Sequence, residues 1–175
     1  MPLQFGSRTA FSRSMEEKEQ TEGGLHFVGK KDELMEAKRS FRTIEDRDIL
    51  IIYYQGVFYA MDSYCYHAGG LLQDGDIEEI NSKLCIICPK HKYKLTLAEG
   101  ECLYRGTNPR EKPPVPRWYS KGVKQRTHTV TENNGEVYVK LSERSDWIES
   151  DYYQGEKGKI ERAKAEASEK KTSCQ

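Results

Sequence analysis

Two couplets of metal-binding side chains carry the chemistry of this 175-residue chain: Cys65-Tyr66-His67 and Cys88-Pro89-Lys90-His91. The whole sequence has 5 cysteines and 4 histidines, and two of each fall in these short segments. Thiolate and imidazole together suit zinc, copper or an iron–sulfur cluster, and exclude an all-oxygen magnesium or calcium site. Paired zinc ligands more commonly have two residues between them, so that both converge on one ion. One intervening residue, as between Cys65 and His67, puts both side chains on the same side of an extended segment, with Cα atoms about 6.6 Å apart. That separation suits ligands bound for two different metals. A two-iron cluster with both thiolates on one iron and both imidazoles on the other meets the demand, each segment supplying one ligand to each iron. The competing arrangement is zinc held by Cys85-x-x-Cys88-x-x-His91 in an interaction module. Against it, Cys85 lies in 83–87 (KLCII), which reads as a strand and makes Cys85 a small buried hydrophobe. Cys102, His26 and His128 also fall on expected strands and read as packing or surface residues, and Cys174 as an exposed thiol.

The elements that must position the couplets are strands. Residues 48–54 (DILIIYY) and 57–61 (VFYAM) flank Gln55-Gly56, a two-residue connection suited to a tight hairpin. Residues 94–98 and 101–104 flank Glu99-Gly100, and 126–131 and 136–141 flank 132–135 (ENNG). In the last strand Val137, Val139 and Leu141 alternate with polar or exposed-type residues, the period-two pattern of a half-buried strand. Weaker strands are expected at 25–28 and 39–44, with one helical turn at 31–37. Residues 68–87 between the couplets are enough for a strand out and a strand back. Gly69 and Gly70 allow close backbone approach, Pro89 stiffens the second loop, and 112–117 (KPPVPR) reads as a rigid third loop over the site. The expected fold is all-β, a small antiparallel sandwich or barrel.

Composition sets the outer limits. Lys plus Arg is 28 and Asp plus Glu is 28, a net charge of zero, so no basic surplus points to nucleic acid. The longest apolar run, 49–54, falls far short of the ~20 residues of a spanning helix. Residues 1–24 and 142–175 read as flexible N- and C-terminal tails around a domain at 25–141, with at most a solvated helix from 156 to 171. Arg8, Arg13 and the serines of the first residues weakly resemble a transit peptide. The bland reading is a cytoplasmic protein with a short tail, mitochondrial import being the alternative.

The paired couplets, set among short strands and followed by a Pro-rich segment and a final 135–139 (GEVYV) strand, resemble a Rieske [2Fe–2S] domain over 25–141. The likeness is to small soluble animal Rieske domain-containing proteins and to Rieske-type ferredoxins. It implies a β-sandwich with a small cluster-binding subdomain, whose loops are 65–70 and 88–93. It implies one [2Fe–2S] cluster per chain, with Cys65 and Cys88 on the inner iron and His67 and His91 on the outer one. Respiratory members carry a disulfide between the two loops, where this chain has Gly70 and Lys90. They also place hydroxyl donors at the positions of Tyr93 and Leu95. The resemblance therefore implies a ferredoxin-like, low-potential electron carrier, monomeric, taking electrons from a reductase and serving an oxygenase or reductase. No catalytic residue and no flavin or nicotinamide fingerprint is recognisable. Lys90, Lys92, Lys94, Arg105, Arg110, Lys112 and Arg117 lead to the expectation of a basic face at the cluster tip.

Overall fold

The computed structural model describes residues 24–173; the expected N-terminal tail and Cys174 lie almost wholly outside them. Strand β1 (Leu25–Lys30) is followed by helix α1 (Lys31–Ala37), β2 (Arg39–Ile44), β3 (Arg47–Tyr54) and β4 (Val57–Asp62). After the first ligand loop come β5 (Ile77–Ile80), β6 (Lys83–Ile87), β7 (Lys94–Thr96), β8 (Glu101–Thr107) and β9 (Pro116–Val123). The chain closes with β10 (Thr127–Asn133), β11 (Glu136–Lys140), a 3-10 turn at Glu149–Gln154 and helix α2 (Glu156–Thr172). Two antiparallel sheets result, β1-β11-β10-β4-β3-β2 and β5-β6-β7-β8-β9. The first curls until its edge strands face each other. Arg42 Nε of β2 donates to the Val28 carbonyl of β1 at 2.9 Å.

Strand β3 explains how one apolar run serves two cores. Ile49 and Ile51 face Val28, Leu34, Phe58, Val137 and Val139, while Leu50 and Ile52 face Met61, Leu72, Ile86 and Leu95. Side chains alternate across a strand, so a continuous apolar stretch buries both faces. Each such side chain contributes about 1.5–3 kcal/mol by leaving water. The second core lies beneath the ligand loops and includes Cys65 and Cys88.

The β3–β4 hairpin turns at Gln55 (φ 48) and Gly56 (φ 82), as its Gly-containing pair implies. Two equally tight hairpins have no glycine: Glu45-Asp46 between β2 and β3, and Asn81-Ser82 between β5 and β6, all four with positive φ. The last hairpin turns on Asn134-Gly135 alone, with Asn133 paired to Glu136, so the strands run longer than the four-residue ENNG connection implied. The expected strand through Ala98 instead ends at Thr96. Gly100 is pinned against the next crossing: a Cβ there would stand 1.9 Å from the Gln125 carbonyl, and the Gly100 carbonyl accepts from the N–H groups of Lys124 and Gln125.

The C-terminal stretch departs from the expected tail after residue 141. Ile148, Ser150, Tyr153 and Gln154 are buried. Ser150 Oγ donates to Asp62 at 2.7 Å, and Gln154 brackets Asp48 by accepting from its N–H and donating to its carbonyl, both at 2.8 Å. The composition of this stretch hid its role, because it is held by polar bonds to the domain rather than by an apolar stripe. Helix α2 does form at Glu156–Thr172 and is largely exposed, close to the solvated helix expected there.

The centre of this polar packing is the Asp62 carboxylate, fully buried. Arg47 Nη1 donates to both its oxygens at 2.9 and 2.8 Å, His128 Nε2 donates at 3.0 Å, and Ser150 adds its hydroxyl. His128 Nδ1 accepts the Ser142 N–H at 3.0 Å, which fixes the Nε2–H tautomer. Arg126 grips Asp151 with two N–H groups at 2.8 and 2.7 Å and also donates to the Arg144 and Asp146 carbonyls. Asp62→Ala leaves these donors around a hole and is expected to cost about 3–5 kcal/mol, whereas Ser150→Ala is expected to cost about 1 kcal/mol. Urea unfolding followed by circular dichroism measures both, and equal costs would contradict the central place given to Asp62.

Candidate metal centre

Both ligand loops are the same six-residue turn. In the first, which leaves β4, the Cys65 N–H donates to the Gly70 carbonyl and the Gly69 N–H returns to the Cys65 carbonyl, each at 2.8 Å. In the second, between β6 and β7, the Cys88 N–H donates to Tyr93 at 2.8 Å and the Lys92 N–H returns to Cys88 at 2.9 Å. Gly69 (φ 69) and Lys92 (φ 60) occupy the same left-handed position in the two turns. The Tyr64–Leu71 bridge closes the neck of the first loop, and the β6–β7 pairing from Ile87 and Lys94 closes the second. The backbone thus presents residues 65, 67, 88 and 91 from two rigid turns that face one another.

All four expected ligands come together, divided by depth. Cys65 and Cys88 are 1% and 2% exposed, whereas His67 and His91 are exposed with their rings 5.0 Å apart. The Cys65 thiol is pushed above its ordinary 9.0 by its hydrogen bond with Cys88 and by burial. The same bond lowers Cys88 to about 6, against burial and with help from the backbone N–H groups of Lys90 and His91. One proton shared between two sulfurs leaves one thiolate ready for metal. Burial, then the neighbouring charges of His91 and Lys121, hold the His67 imidazole below its ordinary 6.5, which favours the neutral, metal-binding form.

The donor set fits an iron–sulfur group. Backbone N–H groups of His67, Lys90 and His91 are directed at the two ligand sulfurs. Gly70 keeps the space beside Cys88 Sγ open, since a Cβ there would stand 3.1 Å from that sulfur. The same virtual Cβ lies 3.1 Å from the Cβ of Lys90, so the loops do meet where the respiratory Rieske proteins carry their disulfide. Among the described residues, no three His, Cys, Asp or Glu side chains converge on one ion position. Cys85 points away from the couplets. It packs with Ile80, Ile87 and Leu103 on the sheet face opposite Ile86 and Cys88, so the Cys85–Cys88–His91 zinc arrangement is not built.

Several contributors escaped sequence reasoning. Gln125, fully buried, accepts the Tyr66 N–H at 3.0 Å and donates to the Asp62 and Tyr64 carbonyls at 2.9 and 2.7 Å. A lone Gln between strands gives no such signal; only the close crossing over Gly100 brings it there. Tyr93 stacks on His67 at 4.0 Å and meets Tyr66 edge-on at 5.7 Å. The Tyr66 hydroxyl goes to Cys102 Sγ at 3.2 Å. Leu95 is wholly inside the core. The Pro-rich 112–117 segment closes the distal end of the β8–β9 hairpin, with Pro116 paired to Thr107; the space beside His91 is lined instead by Tyr104, Arg105 and Lys121. Lys90 pairs with Glu169 at 3.2 Å and Arg117 with Glu111 at 2.6 Å, so neither is the free cation expected.

Helix α2 and the turn before it brace the first loop. The Arg162 guanidinium lies 3.4 Å from the Tyr64 ring centre. A Cβ on Gly69 would come within 2.6 Å of the Tyr153 ring.

Comparison with known proteins agrees with this geometry. Residues 26–144 match the family of soluble Rieske-type ferredoxins. A human Rieske domain-containing protein is 45% identical over 140 residues, covering 80% of this chain and 89% of the relative. Among solved structures, the ferredoxin of carbazole 1,9a-dioxygenase from Nocardioides aromaticivorans IC177 superposes with a TM-score of 0.51 at 18% identity. That match covers 69% of this chain and 100% of that one. Apo dicamba monooxygenase gives 0.50 at 22% identity, over 68% of this chain and 33% of its own. At these identities the structural matches speak for the fold alone.

Gly69→Ala is expected to lower stability by about 1–3 kcal/mol, from the left-handed backbone and the collision with Tyr153. A double-mutant cycle with Tyr153→Ala should recover part of that cost. Additive effects would show that Tyr153 does not press on the loop.

Proposed function

The chain belongs to the soluble Rieske-type ferredoxin family, and from that premise we propose that it is a one-electron carrier holding one [2Fe–2S] cluster. The observation that supports this most is the division of the couplets, two thiols inside and two imidazoles outside on facing turns. Cys65 and Cys88 would hold the inner iron, and His67 and His91 the outer one. When bound, the cluster supplies reversible acceptance of a single electron. The residues do the rest. The inner thiols sit in an apolar core that excludes water, the backbone N–H groups offset sulfur charge, and the exposed imidazole edges give a partner a short path. Tyr93 holds the His67 ring in orientation by stacking. The proposed donors are flavin or nicotinamide reductases and the proposed acceptors oxygenases or reductases. The ferredoxin role named for the carbazole dioxygenase relative points the same way. The proposed setting is the cytoplasm, with the chain acting as a monomer.

The ligand set has a direct test. Purified protein should contain about two irons and two sulfides per chain and show a rhombic EPR signal when reduced. Replacing Cys65, His67, Cys88 or His91 should abolish that signal, while Cys85→Ser keeps it. A protein bleached by Cys85→Ser but not by His67→Ala would overturn the assignment.

The potential follows from the hydrogen-bond donors around the ligands. Tyr66 spends its hydroxyl on Cys102 and Leu95 offers none, and no hydrogen bond from a side-chain hydroxyl to Cys65 or Cys88 is present among the described residues. Donors to cluster sulfurs raise the potential by stabilising the more negative reduced state. Without side-chain hydroxyls in that role, the midpoint is expected below 0 mV on the family scale of about −150 to +300 mV. Protein-film voltammetry at neutral pH reads it, and a clearly positive value would mean that an unrecognised donor is present.

A further inference from the structure

The two flanks of the ligand loops differ in charge balance. On the α2 side, a groove of about 450 Å³ is lined by two cations and two carboxylates: Lys90 pairs with Glu169, and Arg162 and Glu166 stand on the same wall. On the opposite side, a groove of about 360 Å³ runs beside His91, between the second ligand loop and the β8–β9 hairpin. Lys92, Lys94, Arg105 and Lys121 line it, and no carboxylate does. None of the four makes an ion pair among the described residues, although nine other lysines and arginines do. Lys94 Nζ donates to the Lys92 carbonyl at 3.0 Å, and Lys121 stands 5.4 and 5.5 Å from the ring centres of Tyr93 and Tyr104. Tyr104 itself is 42% exposed.

In a chain whose 28 basic and 28 acidic residues balance, the groove is set apart by the clustering of four cations with no carboxylate among them. Like charges held together repel, and an external anionic surface relieves that repulsion while steering encounter. An exposed aromatic ring among them supplies the apolar anchor of a protein interface. We propose that the His91 flank is the docking face, and that its occupant is an electron-transfer protein presenting carboxylates around an apolar seat for Tyr104. This rests on the cluster reading above, which places the electron beside His91. The α2 flank, neutralised and occupied by the helix, is left out of the docking face.

The test uses the reduced holoprotein and two one-electron oxidants of opposite charge, tris(oxalato)cobaltate(III) and hexaamminecobalt(III). In each reaction one reduced protein gives one electron to one Co(III), which becomes Co(II). With the anionic oxidant the rate should fall as salt rises, and with the cationic one it should rise. Lys92→Glu/Lys121→Glu should slow the anionic reaction roughly tenfold at low salt, within the range of electrostatic steering. Lys30→Glu/Lys140→Glu, on β1 and β11 of the other sheet, changes the net charge equally and should alter that rate less than about twofold. Hexaglutamate should slow the anionic reaction of the wild-type protein, and phosphatidylserine vesicles should not. Equal effects of the two double variants, or salt-independent rates, would overturn the docking face. Suppression by the vesicles but not by the peptide would replace the protein partner by a membrane and overturn the proposal. A coloured, EPR-active protein with no charge preference sinks this inference alone, whereas a chain that assembles no cluster sinks the cluster reading and this inference with it.

Discussion

A single buried carboxylate holds the arrangement together. Asp62 ends β4 immediately before the first ligand loop, and its charge lies wholly out of water. Such a charge is tolerable only when paired and fully hydrogen-bonded. Arg47 answers it from β3, His128 from β10 and Ser150 from the segment before α2. Three separated parts of the chain are therefore tied to the residue from which the loop departs. The backbone carbonyl of Asp62 adds a fourth tie, through Gln125, which also holds the Tyr66 N–H inside the loop.

From that anchor, the loops need little else. Each is closed by two backbone hydrogen bonds and one left-handed residue, and the first is held further by the Gln125 side chain. The equivalence of the two turns makes the site pseudo-symmetric at the backbone level, while the ligand positions differ by one residue: Cys and His stand first and third in one turn, first and fourth in the other. Burial then sorts the candidate ligands. The cysteines point into the apolar core shared by both sheets, and the histidines point out.

Charge is distributed with the same asymmetry. Helix α2, rich in lysine and glutamate, lies along one flank and neutralises Lys90 there. The other flank is left to lysines and one arginine from three different segments. A helix of good helix formers with no buried apolar stripe holds its place through a few directed contacts, Arg162 on Tyr64 and Glu169 on Lys90, while Tyr153 of the turn before it stands against Gly69. It therefore acts as a brace for the first loop rather than as part of the core.

The sequence by itself singled out the two Cys/His couplets as candidate ligands, and determined the all-β class and the Gly-marked hairpins. These depend on local signals: residue type at fixed spacing, period-two apolar alternation, and glycine where φ must be positive. The hairpins at Glu45-Asp46 and Asn81-Ser82 carried no glycine and were invisible, because ordinary residues adopt the left-handed turn when the flanking strands enforce it. The tertiary structure alone decided that Cys85 faces away from Cys88, that Gln125 and Asp62 are buried, and that 142–155 is packed against the domain rather than a tail. It also decided which lysines near the loops are paired and which stand free. Those outcomes depend on groups far apart in sequence meeting across the fold, and on hydrogen bonds and ion pairs whose partners no local pattern announces.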